Sequence, residues 1–387
     1  MHLFYNVIGV VIGVQALLML RVCSPQGDEW RQFNAVKRYL AAVFLLTSLS
    51  MFAAQFEMRI QEEQFEKLNA AMLLFFLLIS QGFLYSLLIL YASPHANRKY
   101  LQRTLLPVLP LFTVYAVVCF FMGDVQVYSA EEFMSLLPHE FRLMLRCILL
   151  AASIGSVVYG VLLCHKAKNE YDRLIAGYFS ETDFARSLWL YKLLWSAEAL
   201  SIWVVMTYFY TNDVFEILVG LLIAAVFAFY LKEFRKYVRR YPELRPAIIY
   251  GQSGGEIAAE QFSAKGNPQK QAVRAQIEKW AERPDKPFTR PRLSIEDVSR
   301  ETGLPKRKIS QYTNQADDNF CSWINKLRIE EAVAMLRDSH DISITEIADA
   351  VGFCDLPAFS RSFKKIKGTS PSAFRSDANL QSCTGRE

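Results

Sequence analysis

Two clusters of basic side chains, at 306–308 and 361–365, hold the groups in this chain that are best suited to binding a large polyanion. Lysine ammonium groups neutralise phosphates without reading sequence, whereas an arginine can form paired hydrogen bonds with the edge of a guanine base. Both clusters therefore predict contact with nucleic acid. That chemistry requires each cluster to lie on the outer face of a short helix that fits a major groove.

The second cluster follows a pattern of helix, glycine turn and helix. Apolar side chains recur at the i, i+3, i+4 and i+7 positions of the first helix, namely Ile344, Ile347, Ala348 and Val351. Gly352 then breaks the helix, and Asp355 is placed to cap the next one. In that second helix, the residues predicted to point inward are Phe359, Phe363 and Ile366. The basic residues are left on the outer face.

The first cluster belongs to a similar unit at 293–315, in which Gly303 provides the turn and Ile309 anchors the basic helix. Between the two units, residues 320–338 carry apolar side chains at helical spacing. At 1.5 Å per residue, this connecting helix is about 28 Å long. That length is close to the roughly 34 Å between successive major-groove faces of B-DNA. The two basic helices can therefore read adjacent grooves from one side.

The connecting helix contains NKLRIEEA, and the second unit closes with GFCDLPAFSRSFKKIKGTSPSAFR. With the double helix-turn-helix, these motifs strongly resemble the AraC/XylS family of bacterial transcription regulators over residues 270–376. The resemblance implies binding of double-stranded DNA in the major groove, with base-reading residues Arg307, Ser310, Gln311, Leu356, Ser360 and Arg361. The side chains predicted to hold phosphates are Lys306, Lys308, Lys364 and Lys365. RNA polymerase and a second copy of the chain are further candidate partners.

The first 240 residues are much more apolar than the rest, and they account for a hydrophobic content of 52% in a chain with an ordinary polar C-terminal part. Apolar runs long enough to cross a bilayer core of about 30 Å occur at 3–20, 39–56, 70–91, 105–122, 147–164, 193–210 and 214–231. The alternative is a large buried helical core, but these runs lack the polar face of an amphipathic core helix. The sequence predicts an all-α fold: a seven-helix transmembrane bundle in the lipid bilayer, followed by a cytoplasmic double helix-turn-helix domain.

The basic residues between the apolar runs predict the orientation, because basic connections are retained in the cytoplasm. The connections rich in lysine and arginine are 21–38, 92–104, 165–192 and the stretch after 231. The connections poor in them are 57–69, 123–146 and 211–213. This alternation predicts a multi-pass protein of the bacterial inner membrane, with its N-terminus outside and its C-terminus in the cytoplasm. DNA is on that same side.

The composition also predicts the domain boundaries. We expect the transmembrane domain to occupy 1–240 and the DNA-binding domain 269–376, followed by a disordered tail at 377–387. The prolines, glycines and small polar residues of 241–268 are typical of a flexible linker. A helix over 269–282 should open the DNA-binding domain, with Trp280 in its core.

The outward connections are too short to form a ligand-binding domain, so a signal must bind among the spans, come from the bilayer or arrive through a partner protein. Glu198 is the candidate sensor, because an acid inside a span is costly unless it is paired or faces a wet cavity. The alternative for Glu198 is a structural hydrogen bond. Gln15, Gln55 and Gln81 are predicted to link helices by hydrogen bonds.

The basic connection at 170–192 has two open interpretations. Ser180, with Asp183 three residues later, is placed to cap a helix that leads into the sixth span. In one interpretation this connection is an anchor at the membrane interface, with Trp189 and Tyr191 at headgroup level. In the other, it is a surface that docks the DNA-binding domain or a second subunit.

Enzyme chemistry is not predicted, because no phosphate-binding loop or nucleophile with a plausible base occurs. The seven cysteines and five histidines lack metal-ligand spacing, so we expect neither a metal nor a cofactor. The sequence instead predicts a membrane-integrated one-component transcription regulator. Two alternatives stay open: a membrane receptor or transporter-like protein whose helix-turn-helix domain docks proteins, and a latent regulator that proteolysis in the linker releases.

Overall fold

A computed structural model describes residues 2–22, 30–60, 70–127, 130–181, 213–252, 268–317, 319–338 and 342–376, together with the single positions 192 and 195. Within these residues the secondary structure is helical, as the sequence predicts, apart from one isolated β-bridge. The chain divides into two compact units, 1–171 with 188–241 and 172–187 with 242–387.

The first unit contains six complete helices: α1 (His2–Leu20), α2 (Arg31–Ile60), α3 (Ala70–Leu90), α4 (Arg98–Leu105), α5 (Leu109–Met122) and α6 (Ala130–Leu136). It also holds most of α7 (Phe141–Tyr178) and of α8 (Asp213–Gln252).

Five helical segments among the described residues are long and apolar enough to cross a membrane: Phe33–Ala53, Ala70–Leu90, Arg98–Met122, Phe141–Tyr178 and Ile217–Gly251. A shorter apolar helix covers Asn6–Leu20. The span predicted at 193–210 lies outside the described residues. Seven spans therefore stays a prediction, with five of them represented by helices of sufficient length.

Side-chain amides link helices of the first unit, as predicted for two of the three glutamines. The Gln15 side chain donates to a main-chain carbonyl of α8 at 3.2 Å. The Gln81 side chain accepts from the Tyr100 hydroxyl at 2.7 Å and donates to Ser156 Oγ at 3.1 Å. A buried amide without such partners would cost free energy, so these bonds fix which helices lie together. The Gln55 side chain lies outside the described residues.

A buried cation that the sequence did not single out joins α5 to α7. The Arg146 side chain is fully buried and donates to Asp124 Oδ1 at 2.7 Å and to the Val125 carbonyl at 2.8 Å. Tyr115 donates its hydroxyl to the same carboxylate at 2.7 Å. A buried guanidinium is tolerated only when its charge and its donors are matched, as they are at this end of α7.

The second unit contains α9 (Pro268–Ala281), a 3₁₀ turn (Pro287–Thr289), α10 (Ile295–Thr302), α11 (Lys306–Asp317), α12 (Phe320–Asp338), α13 (Ile344–Ala350) and α14 (Leu356–Lys367). A last short helix covers 371–376. Both predicted helix pairs, α10 with α11 and α13 with α14, are confirmed, as is the connecting helix α12. The opening helix α9 matches the one predicted at 269–282.

Helix α8 continues through 241–252, where the sequence predicted the start of a flexible linker. Pro242 and Pro246 lie inside this helix, and each removes a main-chain donor from it. The linker prediction is wrong for these residues because Leu244, Ala247 and Ile248 are buried at helical spacing. Burial of that apolar stripe offsets the cost of the prolines. Residues 253–267 of the predicted linker lie outside the described residues.

Candidate nucleic-acid interface

Local capping fixes the first helix pair. Ser294 and Asp297 form a capping box, in which each side chain bonds to the main chain of the other residue. Gly303 ends α10 with a φ of 70°, in the left-handed region that a glycine adopts without strain. The chain then turns into α11, so that the basic cluster begins at Lys306, on the first turn of a new helix.

The second pair is built in the same way. Ser343 and Glu346 form the capping box of α13. Gly352 follows with a φ of 91°, and a Cβ there would collide with the main chain of Thr289. Asp355 then caps α14 as predicted, accepting from the Ala358 N–H at 2.6 Å. Only glycine fits the turn, because both the backbone angle and the neighbouring carbonyl exclude a side chain.

The inner face of α14 is anchored by Phe359 and Phe363, which are fully buried in the core shared with α12 and α13. Ile366 was predicted to share that face, but this prediction is wrong, because its side chain is 37% exposed. The reason is that Phe374, from the short helix that follows, packs against Phe363 at a ring distance of 5.5 Å. The last turn of α14 thus extends beyond the core.

The outer face of α14 brings together the predicted residues of the second reading helix. Leu356, Arg361, Lys364 and Lys365 are exposed, and Ser360 is half-buried. Leu356, Ser360 and Lys364 follow one another at intervals of four, so they lie on one face of the helix. This face combines an arginine suited to base edges with lysines suited to phosphates.

The first reading helix, α11, differs from the prediction. Arg307 is exposed as expected, but Ser310 and Gln311 are only 3% and 5% exposed. Ser310 adjoins the buried Ile309, and its carbonyl accepts a hydrogen bond from the buried Thr313 hydroxyl. Its burial therefore follows from core packing. Gln311 is about 200° around the helix from Ile309, so its burial has a separate cause. The prediction that both side chains point outward is wrong for this conformation.

The predicted phosphate ligands of α11 are partly buried. Lys308 is half-buried. Lys306 Nζ lies 3.2 Å from a carboxylate oxygen of Glu296 and 5.9 Å from the ring centre of Tyr178. The hydrogen bond from Tyr178, followed by that from Lys306, lowers the pKa of Glu296. Glu296 is therefore ionised at neutral pH and holds the ammonium group close to Tyr178.

Arg328, which the sequence analysis missed, is the most deeply buried charged side chain among the described residues of the second unit. Its Nε donates to the Phe288 carbonyl at 2.8 Å and its Nη2 to the Arg290 carbonyl at 2.7 Å. Its Nη1 pairs with Glu181 at 3.3 Å. A signal for it exists in the sequence, since Arg328 falls in the inward stripe of α12 with Ile324, Ala332 and Leu336.

The remaining predicted residues have three different outcomes. Trp280 is buried, as predicted, and its Nε1 donates to Glu301 at 2.9 Å. Glu198 and Asp183 lie outside the described residues, and the sensor role of Glu198 stays a prediction. Ser180 belongs to the second unit, where it bonds to Leu293 and Arg328, and it caps no described helix. Among the residues the structure describes, no group of three or more metal-ligating side chains comes together.

Comparison with known proteins assigns the family of this region. Residues 298–377 match the family described as "Helix-turn-helix domain". A transcriptional regulatory protein, YesN of Bacillus subtilis (strain 168), is 36% identical over 65 residues, which are 16% of this chain and 18% of YesN. The transcriptional activator NphR of Rhodococcus sp is 26% identical over 85 residues, which are 22% of this chain and 25% of NphR.

The chain thus spans a quarter or less of the length of these relatives. No solved structure matches it. The matched residues cover both helix-turn-helix units except for the first turn of α10, and they contain both turn glycines and the exposed face of α14. The C-terminal part of this chain is a helix-turn-helix domain of the AraC type.

Proposed function

We propose that this chain is a membrane-integrated transcription regulator that binds specific DNA through two helix-turn-helix units and responds to a signal sensed in or at the membrane. The observation that carries the proposal is the outer face of α14, where Arg361 and Ser360 lie beside Lys364 and Lys365. The relatives named as transcription regulators support it.

The spacing of the two units suits one side of a DNA duplex. The connecting helix α12 has 19 residues, which corresponds to about 28 Å. Successive major-groove faces are about 34 Å apart. With α11 and α14 at its two ends, the domain can place one reading helix in each of two adjacent grooves.

Genome-wide mapping of the DNA bound by the full-length chain tests the proposal. We expect discrete enriched sites that share a motif, and we expect those sites to be lost in Arg361→Ala. A chain whose helix-turn-helix domain only docks proteins would give no shared motif. Blotting membrane and soluble fractions of the same cells separates tethered action from proteolytic release, because release predicts a soluble C-terminal fragment.

The apolar helices of the first unit support a membrane location, and contacts inside the second unit support the predicted orientation. Ser180 and Glu181 bind Arg328, so the connection that contains them lies on the same side of the membrane as the DNA-binding domain. The candidate span Ile217–Gly251 crosses the membrane once between this connection and the DNA-binding domain. The span that the sequence predicts at 193–210 would provide the second crossing that this orientation needs.

Reporter fusions are expected to show this topology. A reporter that works only outside the cytoplasm should be active when fused near Asp124 or Asn212 and inactive near Asn97, Asn169 or Gln252. The physical reason is the retention of basic connections in the cytoplasm. A cytoplasmic reporter at the same positions is the control and should give the reverse pattern. Outside activity at Gln252 would exclude DNA binding, because the domain would be on the wrong side.

A further inference from the structure

Residues 178–181, the last residue of α7 and the three that follow it, lie against the AraC-type domain; we call them the docking segment. Phe179 and Ser294 form an antiparallel bridge. Next to it, the Ser180 N–H donates to the Leu293 carbonyl at 2.8 Å. Main-chain bonds of this kind hold an extended segment on a surface, and the side chains beside them provide specificity.

The carboxylate at the end of the docking segment is held by three parts of the domain. Glu181 pairs with Arg328 of α12 at 3.3 Å. It also accepts from the main-chain N–H of Arg292, which precedes the first helix pair, at 3.3 Å. Its other oxygen accepts from the thiol of Cys354, in the turn of the second pair, at 2.5 Å. One buried carboxylate thus connects α12 with both helix-turn-helix units.

Ser180 of the docking segment is bound through both its main chain and its side chain. The Cys321 thiol donates to the Ser180 carbonyl at 3.1 Å, and Arg328 Nη2 donates to Ser180 Oγ at 3.3 Å. Arg328 and Ser180 are fully buried, and Glu181 is 8% exposed. A surface ion pair would be solvated and loosely held, whereas this one is enclosed and has matched hydrogen bonds.

Tyr178 places the other end of the docking segment beside the first reading helix. Its hydroxyl donates to Glu296 at 2.6 Å, and its ring and that carboxylate both contact Lys306. Lys306 must give up these contacts before it neutralises a DNA phosphate. On the same helix, Ser310 and Gln311 are buried. In this conformation the first reading helix is covered at Lys306, although Arg307 is exposed, while the outer face of the second reading helix is open.

We infer that the AraC-type domain carries a docking site whose occupant is the chain's own docking segment, and that occupation of this site keeps the first reading helix from DNA. The inference rests on the proposed function, because it assigns the state that precedes DNA binding. Helix α7 runs without a break from a candidate membrane span to Tyr178. A signal that shifts α7 in the membrane therefore withdraws the docking segment, and no separate ligand-binding domain is needed.

A reversible cross-link tests the docking site in the full-length protein. In Glu181→Cys the new thiol faces Cys354, whose thiol contacts the Glu181 carboxylate and is exposed to reagents. Oxidation of membrane vesicles with copper phenanthroline is expected to join the two thiols within one chain. The control is Glu181→Cys with Cys354→Ser, in which the cross-link to Cys354 is lost; a cross-link that remains comes from Cys321, whose thiol contacts the Ser180 carbonyl, and also places the docking segment on the domain. Absence of the cross-link in Glu181→Cys overturns the docking site.

DNA affinity of the cross-linked protein, purified in detergent, is then measured before and after reduction with dithiothreitol. The probe is a duplex that carries the site most enriched in the genome-wide mapping. Reduction should raise the affinity by about 5- to 150-fold, the usual range of coupling between two sites. Equal affinity in both forms overturns the inhibitory role of the docking segment. Lack of DNA binding in both forms, with the cross-link present, contradicts the proposed function and leaves only the docking contact standing.

Tyr178→Phe provides a second variant, because the loss of the Glu181 carboxylate can by itself disturb the domain. This change keeps the ring and the helix but removes the hydrogen bond to Glu296. A hydrogen bond to a charged group stabilises the docked state. Its loss should therefore weaken docking and tighten binding of the same duplex by about tenfold. Unchanged or weaker binding, at normal protein abundance, counts against the inference.

Discussion

Arg328→Met is expected to lower the free energy of unfolding of the AraC-type domain by about 3–5 kcal/mol, the usual cost of removing one partner from a buried ion pair. Methionine fills much of the same volume but donates no hydrogen bond. The change leaves the Glu181 carboxylate without its cation and the carbonyls of Phe288 and Arg290 without their donors. The Glu181 carboxylate can regain water by release of the docking segment.

Hydrogen exchange of α12 amides in the full-length protein measures this effect, because the most protected amides report the opening of the whole domain. Lys326→Met is the matched control, since Lys326 is exposed on the same helix; it should change the free energy of unfolding by less than about 0.5 kcal/mol. Glu181→Gln should lower the free energy of unfolding by less than Arg328→Met, because the carbonyls of Phe288 and Arg290 keep their hydrogen bonds to Arg328. A loss of under about 1 kcal/mol in Arg328→Met would show that the domain tolerates these unpaired carbonyls.

The parts of the fold that depend on neighbouring residues could be predicted from the sequence. Asp355 caps α14 and Gly352 makes the preceding turn, because both effects act within a few residues along the chain. The same holds for the bounds of α12, where an apolar stripe at helical spacing runs from Phe320 to Leu336. The outer face of α14 then follows from the helix itself, since its inner face is fixed by two phenylalanines.

The parts that depend on distant residues could not be predicted. Glu181 and Arg328 are 147 positions apart, and no local pattern relates them. The sequence left a docking surface at 170–192 as one of two interpretations, without naming the residues that bind. Gln311 is buried although its helix position faces away from Ile309, and α8 continues through Pro246 because its apolar stripe is packed. Each of these results is decided by tertiary contacts, which outweigh local preference.

Arg361→Ala is expected to weaken binding of the specific duplex by about 1–3 kcal/mol while leaving binding of random DNA largely unchanged. Arg361 is exposed on the outer face of α14, in reach of base edges when the helix lies in a major groove. Lys364→Ala should instead weaken binding of both duplexes to a similar extent. A lysine that contacts a phosphate releases about one counterion, so its removal lowers the slope of log affinity against log salt by about one.

Titrations of full-length protein with the specific and the random duplex over a salt series separate the two roles. Arg361→Lys is the matched control, because it keeps the charge and loses the paired hydrogen bonds of the guanidinium. It should retain the salt slope of the unchanged chain and lose most of the specific binding that Arg361→Ala loses. Equal losses on the specific and the random duplex in Arg361→Ala would exclude base reading by Arg361. In that case the exposed face of α14 holds the DNA backbone only, and sequence must be read by α11 once the docking segment has left Lys306.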